Sequence, residues 1–295
     1  MHCFGYPCHL VISGEDDEAP ELMQLAKSEL ERLEAKFSSF EPTSVIGRIN
    51  QQCGGSEVVS LDAEARSLFE YVTSLWQSTG KTFDPTVSLL QGCYDEGRTP
   101  GRVAACVKSR LPAVGWDKMD ISADGARLRQ AGMFIDLNGI IRPYVVDRVK
   151  KLLLQAGSSS ALIDLDRDIA TIGKQSDGAN WMHGMRHPRG TRTAIARLKL
   201  NDGAFAIRGD FERCLNHEGE TFGRALNPAD GNPIMGPVSV AVTADTCLEA
   251  CSIATVARMK LETEAVEWLE AQQRPWMAID RQLLCHGPLT PSTAR

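Results

Sequence analysis

The segment "DLNGIIRPYVVDRV" (136–149) decides the fold, because it joins two kinds of secondary structure. It is typical of the end of a strand, a tight turn and the start of a helix. A helix start presents free N–H groups and the positive end of the helix dipole, so such a turn often receives a phosphate. Turns of that kind usually carry several glycines and a lysine. This one has a single glycine, Gly139, with Asn138, Arg142 and Pro143 around it.

Strands and helices are predicted on both sides of this turn. Alternating or β-branched runs predict strands, and apolar stripes at helical spacing predict helices. Asp62 and Thr246 stand where N-caps are expected. The predicted strands are "CHLVIS" (8–13), "MFIDL" (133–137), "ALIDL" (161–165), "TAIARLKL" (193–200), "GAFAIRG" (203–209), "PVSVAVTA" (237–244) and "WMAID" (276–280). The predicted helices lie within 20–40, 61–80, 145–157, 246–260 and 265–273, and 84–118 reads as loop with short helical pieces. This mixture without strict alternation predicts an α+β or mixed α/β fold.

The bulk composition is that of a globular protein. The chain has 295 residues, 43% of them hydrophobic and 24% charged, with a net charge of −6. The acidic balance argues against a general nucleic-acid binder, which would show a basic face. We find neither a signal sequence nor an apolar run long enough for a membrane span. We therefore expect a cytoplasmic protein with no nucleic-acid or membrane partner.

The cysteines suggest a reducing environment. Nine are present, an odd number, and their spacing is irregular. No CxxC pair occurs, so a structural zinc site is not expected. We therefore expect free thiols.

Five segments together resemble the ApbE-type flavin transferases (FAD:protein FMN transferases). They are "FSSFEPTSVIGRIN" (37–50), "TGKTFDPTVSLL" (79–90), "VGWDK…DLNGIIRPYVVD" (114–147), "RGDFER…GRALNPADGNPI" (208–234) and "EACSIAT" (249–255). The resemblance implies that residues 1–295 form a single α+β domain of intertwined sheets and helices, with a helical insertion near 60–115. The family splits FAD and attaches FMN to a threonine of a target protein. The resemblance implies a cofactor site at Phe83, Asp84, Asp136, Asn138, Gly139, Arg142, Asp147, Arg167, Arg208 and Arg224.

The metal-binding pattern of the family is altered here. The resemblance implies a divalent metal, usually magnesium, held by an aspartate, a threonine four residues later and a backbone carbonyl of the glycine turn. The threonine is kept as Thr255, but Cys251 stands at the aspartate position, and the carbonyl would be that of Ile141. A hard cation binds poorly to a thiol. We therefore do not expect magnesium, and ordinary helix packing is the alternative role of Cys251 and Thr255.

Other positions with a chemical role in the family are also replaced. Arg224 stands at the position of the histidine that takes part in transfer, and arginine cannot act as a base at neutral pH. Arg208 replaces a serine, while Asp166 and Arg167 replace glycines that let the nucleotide approach the backbone. Pro143 replaces a glycine of the helix-start turn and removes an N–H donor.

Two interpretations of the arginines remain open. Arg142, Arg167, Arg208 and Arg224 could line a metal-independent pocket for FAD or another polyanionic cofactor, since a guanidinium matches phosphate or carboxylate. The alternative is that they pair with Asp164, Asp166, Asp168 and Asp230.

Three functions follow from these interpretations. The first is a catalytically degraded relative that binds a nucleotide-like or polycarboxylate molecule. The second is an active transferase with rearranged metal ligands, drawn from Asp245, Glu249 and Asp166. The third is a non-catalytic subunit that docks a protein partner or the subunits of a larger complex.

Overall fold

The computed structural model describes residues 1–14, 18–95, 98–186, 194–209, 215–217 and 220–290. Its helices are α1 (Glu18–Phe37), α2 (Val45–Gln51), α3 (Ala63–Ser78), α4 (Pro100–Arg110), α5 (Asn138–Gln155), α6 (Cys247–Arg258) and α7 (Glu262–Ala271), with 3₁₀ helices at Pro85–Tyr94, Leu111–Ala113 and Trp116–Lys118. Its first strands are β1 (His2–Cys3), β2 (Tyr6–Ser13), β3 (Met119–Ser122), β4 (Gly125–Leu128), β5 (Ser160–Leu165), β6 (Asp168–Ile172) and β7 (Trp181–Arg186). The others are β8 (Ala194–Leu200), β9 (Gly203–Gly209), β10 (Leu215–His217), β11 (Glu220–Phe222), β12 (Ser239–Ala244), β13 (Trp276–Ile279) and β14 (Cys285–His286).

The chain divides into two compact units. The first unit comprises residues 1–34, 139–211 and 236–295, and the second comprises residues 35–138 and 212–235. Helices and antiparallel strands both contribute, so the α+β prediction is confirmed. The single-domain organisation with an insertion stays a prediction.

An eight-stranded sheet, in the order β1-β2-β5-β6-β9-β12-β13-β14, organises the first unit. Every neighbouring pair in it is antiparallel. Side chains alternate between the two faces of a strand, and both faces of β9 and β12 are buried. One face packs Ala206, Val240 and Val242 against α6 and α7. The opposite face packs Phe205 and Ile207 against the β7–β8 hairpin.

The second unit is mainly helical, with short hairpins at β3–β4 and β10–β11. One apolar cluster joins the 3₁₀ helix Pro85–Tyr94 to α4, with Leu90, Val103, Val107 and Leu226 among its members. α3, this 3₁₀ helix and α4 lie within the segment that the resemblance implies to be helical. No helix in the described part of the chain has the length and apolar character needed to cross a membrane.

Two expectations from the sequence are wrong within the second unit. "MFIDL" (133–137) forms no strand, and the backbone of its central residue, Ile135, pairs with the side chain of Asn50 instead of a neighbouring strand. Asn50 Nδ2 donates to Ile135 O at 2.9 Å, and Ile135 N donates to Asn50 Oδ1 at 2.9 Å. The cysteines are not all free thiols, since Cys93 and Cys106 form a disulfide between the 3₁₀ helix and α4. Their Cα atoms lie 5.5 Å apart, which suits a disulfide.

Candidate functional site

One backbone carbonyl at the start of α5 accepts a hydrogen bond from a side chain of α6. Pro143 lies inside α5 and has no N–H to donate to the carbonyl four residues earlier, which is that of Gly139. The Cys251 thiol donates to this Gly139 oxygen at 3.0 Å. Pro143 is therefore a helix-interior residue. The carbonyl that Cys251 contacts is that of Gly139, and a metal-binding role of the Ile141 carbonyl stays a prediction.

A two-residue turn joins β5 to β6 and carries two charged side chains. Asp166 and Arg167 both have positive φ, 52° and 74°, and Leu165 pairs with Asp168 on either side of them. Turns of this kind usually hold Asn and Gly, because other residues adopt the left-handed region at a cost. The turn is anchored where Arg167 N donates to Asp164 Oδ1 at 3.0 Å. Burial raises the pKa of Asp164, and this hydrogen bond opposes the rise.

The structure brings three of the four predicted arginines together in the first unit. Arg142 Nη1 lies 2.6 Å from Asp166 Oδ2, and Arg208 Nη2 lies 2.6 Å from Asp168 Oδ1. Arg142 Nη2 approaches Asp168 Oδ2 at 3.7 Å, and Arg167 Nη2 lies 3.3 Å from Asp166 Oδ1. Three guanidinium groups thus meet two carboxylates. We call these five residues the arginine cluster.

Burial differs strongly within the arginine cluster. The side chain of Asp168 is 0% exposed, while those of Arg142 and Arg208 are 11% and 15% exposed. Arg167 is 33% exposed, and its pair with Asp166 is longer than the two 2.6 Å pairs. Arg167 is therefore the arginine of the cluster that is most accessible to a ligand.

The side chain of Arg208 also contacts Cys251. Its Nη2 lies 2.7 Å from Cys251 Sγ, while Thr255 Oγ1 lies 3.8 Å from the same sulfur. Burial raises the pKa of the Cys251 thiol, and Arg208 only partly offsets this effect, so the thiol is neutral near pH 7. A guanidinium therefore lies between a neutral thiol and a buried carboxylate. Among the described residues, no three His, Cys, Asp or Glu side chains are grouped to hold a metal ion.

Asp147 has a structural contact that its sequence position did not reveal. Its two carboxylate oxygens accept from Cys247 N at 2.7 Å and from Leu248 N at 2.8 Å, at the start of α6. Burial raises the pKa of Asp147 to about 6, although these two hydrogen bonds favour the charged form. Thr246 caps the same helix start as predicted, because its Oγ1 accepts from Glu249 N.

Phe83 and Asp84 are buried in the second unit. Asp84 Oδ1 accepts from Thr86 N and Thr86 Oγ1 at 2.9 and 2.6 Å, and its Oδ2 accepts from Trp116 N at 2.8 Å. Burial raises the pKa of Asp84, and these contacts oppose the rise. Asp84 thus joins the start of the 3₁₀ helix to the Trp116 turn. Phe83 is 7% exposed.

Three other predicted site residues belong to the second unit. Asp136 Oδ1 accepts from Asn138 N at 2.9 Å, just where α5 begins. Arg224 is exposed, and its backbone carbonyl accepts from Gln91 Nε2 at 3.3 Å. Asp230, which the sequence offered as a partner of the arginines, accepts at Oδ1 from Asn232 N at 2.8 Å. Cofactor binding by Asp136, Asn138, Arg224 and the three arginines of the cluster stays a prediction.

Sequence reasoning missed Tyr6 as a neighbour of the arginine cluster. The Arg142 guanidinium lies over the Tyr6 ring, 4.3 Å from its centroid, which is a cation–π contact. The antiparallel pairing of β2 with β5 brings Tyr6 to this end of the sheet. No local motif around Tyr6 signals this contact.

The fold and the site define an α+β protein with a cluster of arginines and aspartates. The start of α5, the turn between β5 and β6, and strands β6 and β9 carry these residues. Solved structures share this fold. The ApbE protein from Thermotoga maritima matches with a TM-score of 0.85 and 22% identity, over 99% of this chain and 98% of that one. The flavin transferase ApbE from Vibrio cholerae matches with a TM-score of 0.81 and 20% identity, over 98% of this chain and 95% of that one.

The chain belongs to the ApbE family, whose model matches residues 4–279. The family resemblance predicted from the five segments is therefore confirmed. A relative named FAD:protein FMN transferase, from Haemophilus influenzae, is 25% identical over 256 residues, which cover 82% of this chain and 73% of the relative. A relative with the same name from Treponema pallidum is 26% identical over 247 residues, covering 77% of this chain and 67% of the relative.

Proposed function

We propose that this chain is a non-canonical ApbE-family protein that binds a flavin nucleotide, or another polyanion, without a divalent metal and without transferring FMN. The observation that carries the proposal is the position of Arg208. Its guanidinium lies 2.7 Å from Cys251 Sγ and 2.6 Å from Asp168 Oδ1. A permanent positive charge therefore lies against the residue that replaces the family's metal-binding aspartate.

The donor atoms around Cys251 do not suit magnesium. A neutral thiol is a poor ligand for a hard cation, and a fixed guanidinium beside it repels a second positive charge. The carboxylates that could substitute are engaged elsewhere. Arg274 holds Asp245 and Glu249 at 2.9 and 2.8 Å, and Arg142 holds Asp166 at 2.6 Å. These contacts count against an active transferase with rearranged ligands.

The charge of the arginine cluster favours an anionic ligand. The cluster contains three guanidinium groups and two carboxylates, and Arg167, with its side chain 33% exposed, is the most accessible of the three cations. Phosphate oxygens are suitable acceptors for a guanidinium. The relatives named FAD:protein FMN transferases act on FAD, so FAD and FMN are the first ligands to test.

Calorimetric titration with FAD, in EDTA and then in magnesium, tests the binding. We expect the dissociation constant for FAD to be the same in both buffers. The Arg167→Ala variant should bind FAD clearly more weakly. Arg98→Ala is the matched control, because Arg98 is also about one-third exposed and pairs with one aspartate, Asp95, at 3.1 Å. Binding only in magnesium would refute the metal-independent site. No binding of FAD, FMN or another polyanion would leave the non-catalytic docking subunit as the better description.

A mass-based transfer assay tests the loss of chemistry. The chain is incubated with FAD, magnesium and a peptide that carries an acceptor threonine. We expect no mass gain, and a gain equal to FMN would restore the transferase interpretation. The variant Arg208→Ser/Cys251→Asp/Arg224→His reintroduces the family's residue types. Stabilisation of this variant by magnesium, without stabilisation of the native chain, would show that Arg208 and Cys251 exclude the metal.

A further inference from the structure

A polar cavity of about 650 Å³ lies in the first unit at the end of the sheet remote from Arg208. The turn between β8 and β9, the end of β12, and the segments at 274–275 and 289–290 line it. Ala244 of β12 pairs with Ala204 of β9 at this end, whereas Val240 pairs with Arg208 at the other. Four residues along β9 separate the two positions, which is about 13 Å at a rise of about 3.3 Å per residue. The cavity is therefore separate from the arginine cluster.

The carboxylates that line this cavity already have partners. Asp202 Oδ1 accepts from Gly173 N at 2.9 Å. Asp245 Oδ2 lies 2.9 Å from Arg274 Nη2. Backbone groups of the lining are paired as well: Thr243 N donates to Pro275 O at 3.0 Å, and Gly203 O accepts from Lys150 Nζ.

Two cations and a hydroxyl also line the cavity. Arg197 and Lys199 are two residues apart on β8, so both project from the same face of the strand, and both are exposed. Within the described part of the chain, neither has an ion pair or a side-chain hydrogen bond. The Thr290 Oγ1 atom, also at the cavity, is buried and has no hydrogen-bond partner in that part of the chain.

Alternation along β8 explains why Arg197 and Lys199 point away from the core, because Leu198 and Leu200 are buried on the opposite face. Alternation does not explain why two cations without partners border a cavity with a volume typical of small-molecule sites.

We propose that this cavity is a second binding site, which takes a small organic anion with phosphate or carboxylate groups. Arg197 and Lys199 bind the anionic group, and Thr290 donates its hydroxyl hydrogen to the ligand.

Titration followed by amide chemical shifts in NMR tests this site. The probes are ribose 5-phosphate for phosphate, citrate for carboxylate and ribose as the uncharged control. We expect saturable shifts of the amides at 203, 243 and 290 with at least one of the two anions, and none with ribose. The probe that binds identifies the anionic group. The absence of saturable binding by either anion to the native chain would overturn the proposal.

A matched pair of double variants assigns the binding to the cavity. Arg197→Ala/Lys199→Ala should raise the dissociation constant at least about tenfold, since charged hydrogen bonds are lost. Lys27→Ala/Lys151→Ala removes two exposed lysines of the same unit that do not line the cavity, and it should leave the dissociation constant unchanged. Equal weakening in both double variants would show nonspecific attraction and refute the site. Circular dichroism checks the fold of each variant. Thr290→Val should also weaken binding of the anion, and it tests the cavity without altering its charge.

The second site can be distinguished from the arginine cluster. Arg197→Ala/Lys199→Ala should leave FAD titration unchanged, and Arg167→Ala should leave binding of the small anion unchanged. If both variants altered both titrations, the two ligands would share one site, and the proposal of a second site would be wrong.

Discussion

Replacing Arg208 with methionine should destabilise the chain because it isolates a buried carboxylate. Asp168 is 0% exposed, and its Oδ1 accepts a hydrogen bond from Arg208 Nη2 at 2.6 Å. Its other oxygen has no hydrogen bond within the described residues, and the nearest remaining cation there is Arg142 Nη2 at 3.7 Å. Methionine keeps most of the aliphatic packing, so the change mainly removes the charge.

Breaking a buried ion pair typically costs about 3–5 kcal/mol. Arg142 still partly compensates Asp168, so we expect the low end, about 3 kcal/mol in the free energy of unfolding. Urea denaturation followed by circular dichroism measures this quantity. Arg274→Met is the control, because Arg274 pairs with Asp245 and Glu249 while its side chain is 34% exposed, against 15% for Arg208. We expect a much smaller change for that variant.

A double-mutant cycle separates the ion pair from general loss of packing. Asp168→Asn alone leaves Arg208 without its carboxylate, while Arg208→Met/Asp168→Asn removes both charges. The double variant should be more stable than the sum of the single effects predicts, by about 2 kcal/mol or more. Additive effects, or a loss in Arg208→Met no larger than in Arg274→Met, would refute the description of a buried, coupled pair.

Three further predictions concern the disulfide, a buried carboxyl and a strained turn. Reduction of the Cys93–Cys106 disulfide, which spans 13 residues, should lower the free energy of unfolding by about 3 kcal/mol in denaturation with and without dithiothreitol, and Cys93→Ala/Cys106→Ala should not respond to the reductant. Burial raises the pKa of Asp147 to about 6, so the folded chain binds this proton more tightly than the unfolded chain. The stability that the proton contributes is present below about pH 4 and is lost as the pH rises through about 6, by up to about 3 kcal/mol. Urea unfolding from pH 4 to 7 should show this slope in the native chain and a reduced slope in Asp147→Asn; equal slopes would contradict the raised pKa. Arg167 has a φ of 74°, which glycine adopts without strain and other residues adopt at a cost. Arg167→Gly and Arg167→Ala both lose the guanidinium, so Arg167→Gly should be more stable by about 1 kcal/mol and unfold at a higher urea concentration. Equal urea midpoints of unfolding would argue against strain.

Local signals in the sequence predicted the local structure well. Asp62 caps α3 by accepting from Ala65 N at 2.9 Å, as its position before an amphipathic run indicated. The strands predicted at 161–165, 203–209 and 276–280 correspond to β5, β9 and β13. These predictions succeed because a cap or an alternating strand depends on residues within a few positions of each other.

The failures share a dependence on distant residues. The run at 133–137 has the composition of a strand, but Asn50, 85 positions from Ile135, supplies a hydrogen bond to each backbone polar group of Ile135. Cys93 and Cys106 carry no motif that distinguishes them from the six cysteines that the structure shows as free. Pairing required the 3₁₀ helix and α4 to pack against each other, which composition and spacing do not predict.

The sequence by itself determined the family and the α+β class. It also supplied both candidate roles for the arginines without deciding between them. Only the tertiary structure decided that Arg142 and Arg208 each pair closely with an aspartate, that the carbonyl freed by Pro143 accepts from Cys251, and that a cavity opens beside Arg197 and Lys199. The physical reason is that charge and helix propensity are local properties of the chain. A buried ion pair forms only where strand register and helix packing bring residues 40 positions apart, such as Asp168 and Arg208, within hydrogen-bond distance.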